Sequence, residues 1–150
     1  MKVVILAGGR GTRLSEETHA IPKPMVRIGG RPIIWHIMKH YASFGFSDFV
    51  VACGYKGHVL KEYFANYGTH ESDLRVDFGS GTRTVLSGPQ EDWSVTLIDT
   101  GAETRTGGRI KRVGHLLTET FMLTYGDGLS DVPIDSLIKE HRASGARAGS

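Results

Sequence analysis

Leu6-Ala7-Gly8-Gly9-Arg10-Gly11-Thr12-Arg13-Leu14 carries an apolar run into a glycine-rich turn that ends beside an arginine. Such a turn lets backbone N–H groups approach phosphate oxygens closely, and Arg13 adds a planar fork of positive charge suited to bidentate phosphate contact. A dinucleotide fingerprint requires a third glycine where Leu14 stands, and a Walker A loop requires Gly-Lys-Ser/Thr, so neither motif fits. Standing alone, the segment also matches a plain glycine turn with a surface arginine.

It does not stand alone. Ten residues on, Pro22-Lys23-Pro24-Met25 fixes φ at two prolines, and Pro24 biases Lys23 towards an extended backbone, so the lysine is expected on a stiff strut as a second phosphate contact. Tyr125-Gly126-Asp127-Gly128 follows an apolar strand, which puts Asp127 at the carboxyl edge where open α/β sheets bind ligands. Its carboxylate between two glycines suits Mg²⁺, which takes one or two protein carboxylates plus phosphate oxygens and water. It suits an Asp-Gly turn equally well, with Asp131 as a spare candidate ligand. Thr104-Arg105-Thr106-Gly107-Gly108-Arg109 forms a further strand-to-helix corner whose main chain is placed to read a base, while Thr106 is placed to cap the helix.

Other residues are set aside. His36 and His40 have the i, i+4 spacing of a metal pair, but Ile37 follows the first and no third ligand is evident, so both are expected opposite the apolar stripe of a helix. Cys53 is expected to be a small core residue, and Trp35 and Trp93 packing residues.

These motifs need elements to hold them. Val3 to Leu6 and Phe49 to Cys53 are β-rich runs that stop at glycines, as buried parallel strands do. Val95 to Ile98 and Phe121 to Tyr125 repeat the pattern. Between them, Ile34, Ile37, Met38 and Tyr41 share a helical face that ends at Gly45, and Val59, Leu60, Tyr63, Phe64 and Tyr67 share another up to Gly68. Helices are also expected over Thr106 to Leu117 and about Ile134 to Ser144. Residues 69 to 92 form an excursion with short strands around Arg75 to Phe78 and Thr84 to Leu86. The alternation implies an α/β fold: a mainly parallel, doubly wound, Rossmann-like sheet covered on both faces.

Composition sets the bounds. The 150 residues, 39% hydrophobic and 23% charged, suit one globular domain. A net charge of +2, from 18 interspersed basic and 16 acidic residues, offers no stripe for nucleic acid polymers or membranes. No run approaches the roughly 18 apolar residues needed to span a bilayer. One cysteine permits no internal disulfide, and Met1 to Ala7 is too short for a signal sequence, so a cytoplasmic protein is expected.

With these motifs together, the chain resembles the sugar-1-phosphate nucleotidyltransferases, with their Gly-Gly-x-Gly-Thr-Arg-Leu loop and Pro-Lys-Pro lysine. Leu14 to Thr18, Ile28 to Lys39, Gly54 to Gly57, Thr96 to Gly101, Thr106 to Val113 and Thr124 to Gly128 extend the likeness over nearly the whole chain. It is nearest to the branch that joins CTP and α-D-glucose 1-phosphate into CDP-glucose and pyrophosphate. The resemblance implies a nucleotide-binding domain over 1–150, Mg²⁺ as cofactor, and a place in O-antigen (lipopolysaccharide) biosynthesis. It implies that Leu6, Ala7, Gly8, Gly9, Arg10, Gly11, Thr12 and Arg13 hold the triphosphate, Lys23 the reacting phosphates, Thr104 and Arg109 the nucleotide, and Asp127 the metal. Arg13 and Lys23 would then be the catalytic cations. Members are longer than this chain, so the resemblance also implies that a second metal carboxylate, most of the sugar pocket and homo-oligomer contacts lie beyond Ser150. A dTTP- or UTP-using relative and a non-catalytic nucleotide-sensing domain are the alternatives. A dinucleotide oxidoreductase is disfavoured by Leu14 and by Cys53-Gly54 where an acidic residue would be needed.

Overall fold

The computed structural model describes residues 1–9 and 21–149. Its centre is a four-stranded parallel sheet of β1 (Val3–Ala7), β4 (Asp48–Cys53), β7 (Ser94–Asp99) and β8 (Met122–Tyr125), in the order β7-β4-β1-β8. The two inner strands are the continuous β-branched runs of the sequence, and every residue of β1 is buried. Alternate residues face opposite ways, which divides the core in two. Val3, Ile5, Ala7, Phe49, Val51 and Cys53 point to one face, and Val4, Leu6, Val50 and Ala52 to the other.

The first face is covered by three helices: α1 (Ile33–Ser43) through Ile34, Ile37, Met38 and Tyr41, α2 (Gly57–Ala65) through Leu60, and, after the short α3 (Tyr67–His70), α5 (Ile134–Ser144) through Ile134. The second face is covered by α4 (Thr106–Val113) through Val113, with half-buried Ile110, Leu116 and Leu117 beside it. Both faces are therefore closed by helices, as the doubly wound reading requires.

Several boundaries differ from expectation for local reasons. The α2 helix breaks at Asn66, whose side-chain amide donates to the Glu62 carbonyl at 2.9 Å and so competes with the helical ladder. The α4 helix stops at Val113, and Gly114–Leu116 continue as a 3-10 turn that still delivers the apolar residues to the sheet. Gly45 ends α1 as read, at φ 87°, with the Phe46 N–H reaching back to the Tyr41 carbonyl.

The excursion is an antiparallel hairpin of β5 (Asp73–Asp77) and β6 (Thr82–Ser87) that stays separate from the central sheet. Phe78, placed by its pattern at a strand end, sits in the hairpin turn and is 92% exposed. The short pair β2 (Arg27–Ile28) and β3 (Arg31–Pro32) leads into α1. Among the described residues, no helix is long and apolar enough to cross a membrane.

Candidate functional site

The chain leaves β1 for β4, moves outward to β7, and then returns to the far side of β1 with β8. The order therefore reverses between β1 and β8, and at such a switch point the loops beyond the strand ends diverge and leave a crevice. A cavity of about 590 Å³ opens there, lined by residues that include Gly8, Gly9, Lys23, Thr104, Arg109 and Asp127. Leu6 and Ala7, also named from the sequence, line it too. Arg10, Gly11, Thr12 and Arg13 lie outside the described residues.

Lys23 reaches the cavity by another route than the extended strut expected of it. It opens a one-turn 3-10 helix, Lys23–Met25, closed by Met25 N–H to Pro22 carbonyl (2.8 Å) and Val26 N–H to Lys23 carbonyl (3.0 Å). Those two bonds and the burial of Pro24 and Met25 offset the local bias that Pro24 imposes on its predecessor. The Lys23 ammonium then stands 3.5 Å from the Asp127 carboxylate. Asp127 follows Gly126, whose N–H donates to the Leu6 carbonyl at 2.9 Å and extends the β1–β8 ladder past the last strand residue. Gly126 has little room for a side chain, since a Cβ would lie 3.1 Å from the Leu6 carbonyl oxygen. Asp131, the spare candidate, is not among the lining residues.

Thr104 and Arg105 line the opposite wall with Thr106, the first residue of α4. Thr106 does not cap that helix: the N-cap position belongs to Arg105, and no side chain bonds there. Arg109 is buried, 5% exposed, yet borders the cavity. Its Nη1 donates to the Thr100 hydroxyl (2.7 Å) and to the carbonyls of Gly101 (2.8 Å) and Cys53 (3.2 Å). Its Nη2 donates to the carbonyls of Gly8 (2.8 Å) and Ala102 (3.2 Å). The Thr100 hydroxyl donates in turn to the Cys53 carbonyl at 2.6 Å. Burial pulls the Arg109 pKa down, with Arg112 adding to the effect and Asp99 opposing it. This web went unread in the sequence. Its traces there are the two glycines, Gly8 and Gly54, one at the end of each inner strand.

The other residues hold structural posts. His36 bonds the Ile28 carbonyl (2.8 Å) and His40 the Val132 carbonyl (2.9 Å), so the pair braces β2 and the loop before α5 against α1. Cys53 is buried among core residues, and desolvation pushes its thiol up to about 11. Trp35 and Trp93 pack edge to face, with the Trp35 indole N–H bonded to the Tyr67 hydroxyl.

A glycine turn, a lysine and a carboxylate are gathered at the switch point of a parallel sheet in an α/β fold, and the chain belongs to the nucleotidyl transferase family, whose model matches residues 2–87. The Salmonella typhimurium protein named glucose-1-phosphate cytidylyltransferase is 54% identical over 150 residues, which cover 99% of this chain and 58% of that one. A mannose-1-phosphate guanyltransferase of Debaryomyces hansenii is 32% identical, with 99% of this chain and 36% of that protein covered. Among solved structures, HddC from Yersinia pseudotuberculosis, complexed with GMP-PN, superposes with a TM-score of 0.67 at 25% identity, over 93% of this chain and 53% of that one. UDP-glucose pyrophosphorylase, complexed with UDP-glucose, superposes at 0.66 and 17% identity over 97% and 54%, a likeness of fold. The chain thus spans just over half the length of the cytidylyltransferase relatives it matches.

Proposed function

We propose that the protein joins CTP to α-D-glucose 1-phosphate, giving CDP-glucose and pyrophosphate. The observation that carries this reading is the convergence of Gly8-Gly9, Lys23 and Asp127 on one switch-point cavity. The choice of CTP and glucose 1-phosphate rests on the 54% identity to the Salmonella enzyme of that name.

In such a reaction an oxygen of the sugar phosphate attacks the α-phosphorus of the nucleotide, and the bond from that phosphorus to the bridging oxygen breaks as pyrophosphate leaves. The attacking phosphate has a second pKa near 6, so it is largely ionised at neutral pH and no general base is required. What the protein must supply is positioning and neutralisation of two anions. On this reading the end of β1 and the Gly8-Gly9 turn, together with Arg10 to Arg13, hold the triphosphate, with backbone N–H groups past the strand end as its donors. Lys23 and Arg13 hold charge at the reacting phosphates, and Thr104 and Arg109 serve the nucleotide.

Among the described residues no group of three or more metal-binding side chains occurs. A single Asp127 carboxylate fits Mg²⁺ all the same, because that ion draws most of its oxygens from phosphates and water. Asp127 would hold it, and the ion would neutralise phosphate charge. We place the protein in the cytoplasm as a homo-oligomer when full length, supplying activated sugar for O-antigen biosynthesis.

The test is calorimetric titration with CTP, UTP, dTTP and GTP in Mg²⁺, beside pyrophosphate release with glucose 1-phosphate. CTP should bind tightest and pair with glucose 1-phosphate in turnover. Tighter binding of another nucleotide would reassign the substrate, and CTP binding without turnover, even in a longer chain carrying this sequence, would favour a sensing domain.

A further inference from the structure

Past the ends of three parallel strands, backbone carbonyls converge on one buried point beneath the crevice, and buried carbonyls need donors. Arg109 supplies them. Its guanidinium joins the carbonyl of Gly8, just past β1, to that of Cys53, which ends β4, and to those of Gly101 and Ala102, just past β7. A planar fork with five donors is the side chain able to do this, and lysine, a point charge with three, is not equivalent.

The Gly8 contact bears on the phosphate turn. The Gly8 carbonyl accepts from Arg109 Nη2 at 2.8 Å and from the Tyr55 N–H at 3.3 Å, so its direction is pinned from two sides. No peptide among the described residues is cis, and in a trans peptide the N–H points opposite to the carbonyl. Pinning the Gly8 carbonyl inward therefore turns the Gly9 N–H away from Arg109, at a residue that is exposed and lines the cavity. The space is filled as well: a Cβ at Gly8 would fall within the Arg109 guanidinium, and one at Gly54 would meet the same group.

We propose that Arg109 is a positioning residue for phosphate recognition: from beneath the crevice it sets the Gly8–Gly9 peptide so that the Gly9 N–H is presented to the phosphate chain of the nucleotide. This deepens the nucleotidyltransferase reading above and rests on it. It gives Arg109 a role exercised through the backbone, distinct from reading the base directly.

The test uses two probes, inorganic tripolyphosphate and cytidine, titrated calorimetrically into the wild-type protein, Arg109→Lys, Arg109→Ala, Gly8→Ala and the Gly8→Ala/Arg109→Ala pair. Arg109→Lys keeps the charge but not the fork, and it should lose tripolyphosphate affinity by about tenfold, on the scale of one charge-assisted contact. Its cytidine affinity should stay within about twofold. Gly8→Ala should lose tripolyphosphate affinity likewise, and adding Arg109→Ala should cost less than the product of the two single losses, because both disturb one peptide. Unchanged tripolyphosphate binding in Arg109→Lys, loss of cytidine binding to match, or simple additivity at Gly8 and Arg109 would each overturn the proposal. Should Arg109→Ala fail to fold, Arg109→Lys replaces it in the pair. A wild-type protein that binds neither probe overturns the functional reading along with it, whereas failure confined to the variants overturns this inference alone.

Discussion

Lys23 Nζ and Asp127 Oδ2 face each other at 3.5 Å across the β1–β8 switch point, although 104 residues separate them along the chain. Each is the other's counter-ion, and each is suited to a different ligand: the lysine to phosphate, the carboxylate to a divalent cation. A ligand that draws off one leaves the other without its partner, so nucleotide and metal should bind better together than singly.

Asp127→Asn should therefore raise the Mg²⁺ concentration needed for half-maximal nucleotide binding by about 10- to 100-fold, the range for loss of a group that orients or ligates a metal. The fold should hardly notice, because a partly exposed ion pair contributes about 0–1 kcal/mol. Mg²⁺ titration beside thermal melts separates the two effects, and an unchanged Mg²⁺ requirement would remove Asp127 from the site.

Lys23→Met keeps the aliphatic stem and removes the charge. If Lys23 neutralises the reacting phosphates, turnover should fall by about 10²–10³-fold, the scale for loss of one electrostatic contact to a transition state, with little change in melting temperature. A loss of stability with kcat intact would make the residue structural.

Gly54→Ala tests the crowding around the arginine. The added Cβ would meet the Arg109 guanidinium and would lie 2.8 Å from the Gly8 Cα, so backbone as well as side chain must shift. Overpacking of this kind costs about 1–3 kcal/mol, readable by urea denaturation. A neutral result would show that the three strand ends are less tightly joined than the structure describes.

Burial raises the Cys53 thiol from 9.0 to about 11, with Lys61 and Arg109 opposing the rise and Asp99 adding to it. The folded protein thus prefers the neutral thiol. Its contribution to stability, up to about 2–3 kcal/mol, is fully present below pH 9 and is lost as pH rises through about 11. Stability measured against pH should fall more steeply over that window in the wild type than in Cys53→Ala, and parallel curves would contradict it.

Phe78→Ser, at the tip of the β5–β6 hairpin, should change folding free energy by no more than about 0.5 kcal/mol, since the ring is 92% exposed. A larger loss by urea denaturation would mean that the ring packs in solution.

What the sequence determined by itself was the set of local elements and the chemistry they carry. Val3 to Ala7 and Phe49 to Cys53 are too continuously apolar to be anything but buried, and Ile34, Ile37, Met38 and Tyr41 repeat at the helical period, so strands and helices follow from burial alone. Glycines after strands, a proline-flanked lysine and an aspartate past a strand end were legible because each is a residue type with few cheaper uses. Strand order was not legible, because periodicity reports that a strand is buried and not which neighbour buries it. Only packing of both sheet faces sets β8 beside β1 and brings Asp127 to Lys23. The 3-10 turn at Lys23 and the grip of Arg109 on Gly8 were hidden for the same reason. Both depend on hydrogen bonds or burial that arise once the strand ends have been brought together, and no local pattern encodes a donor 101 residues from its acceptor.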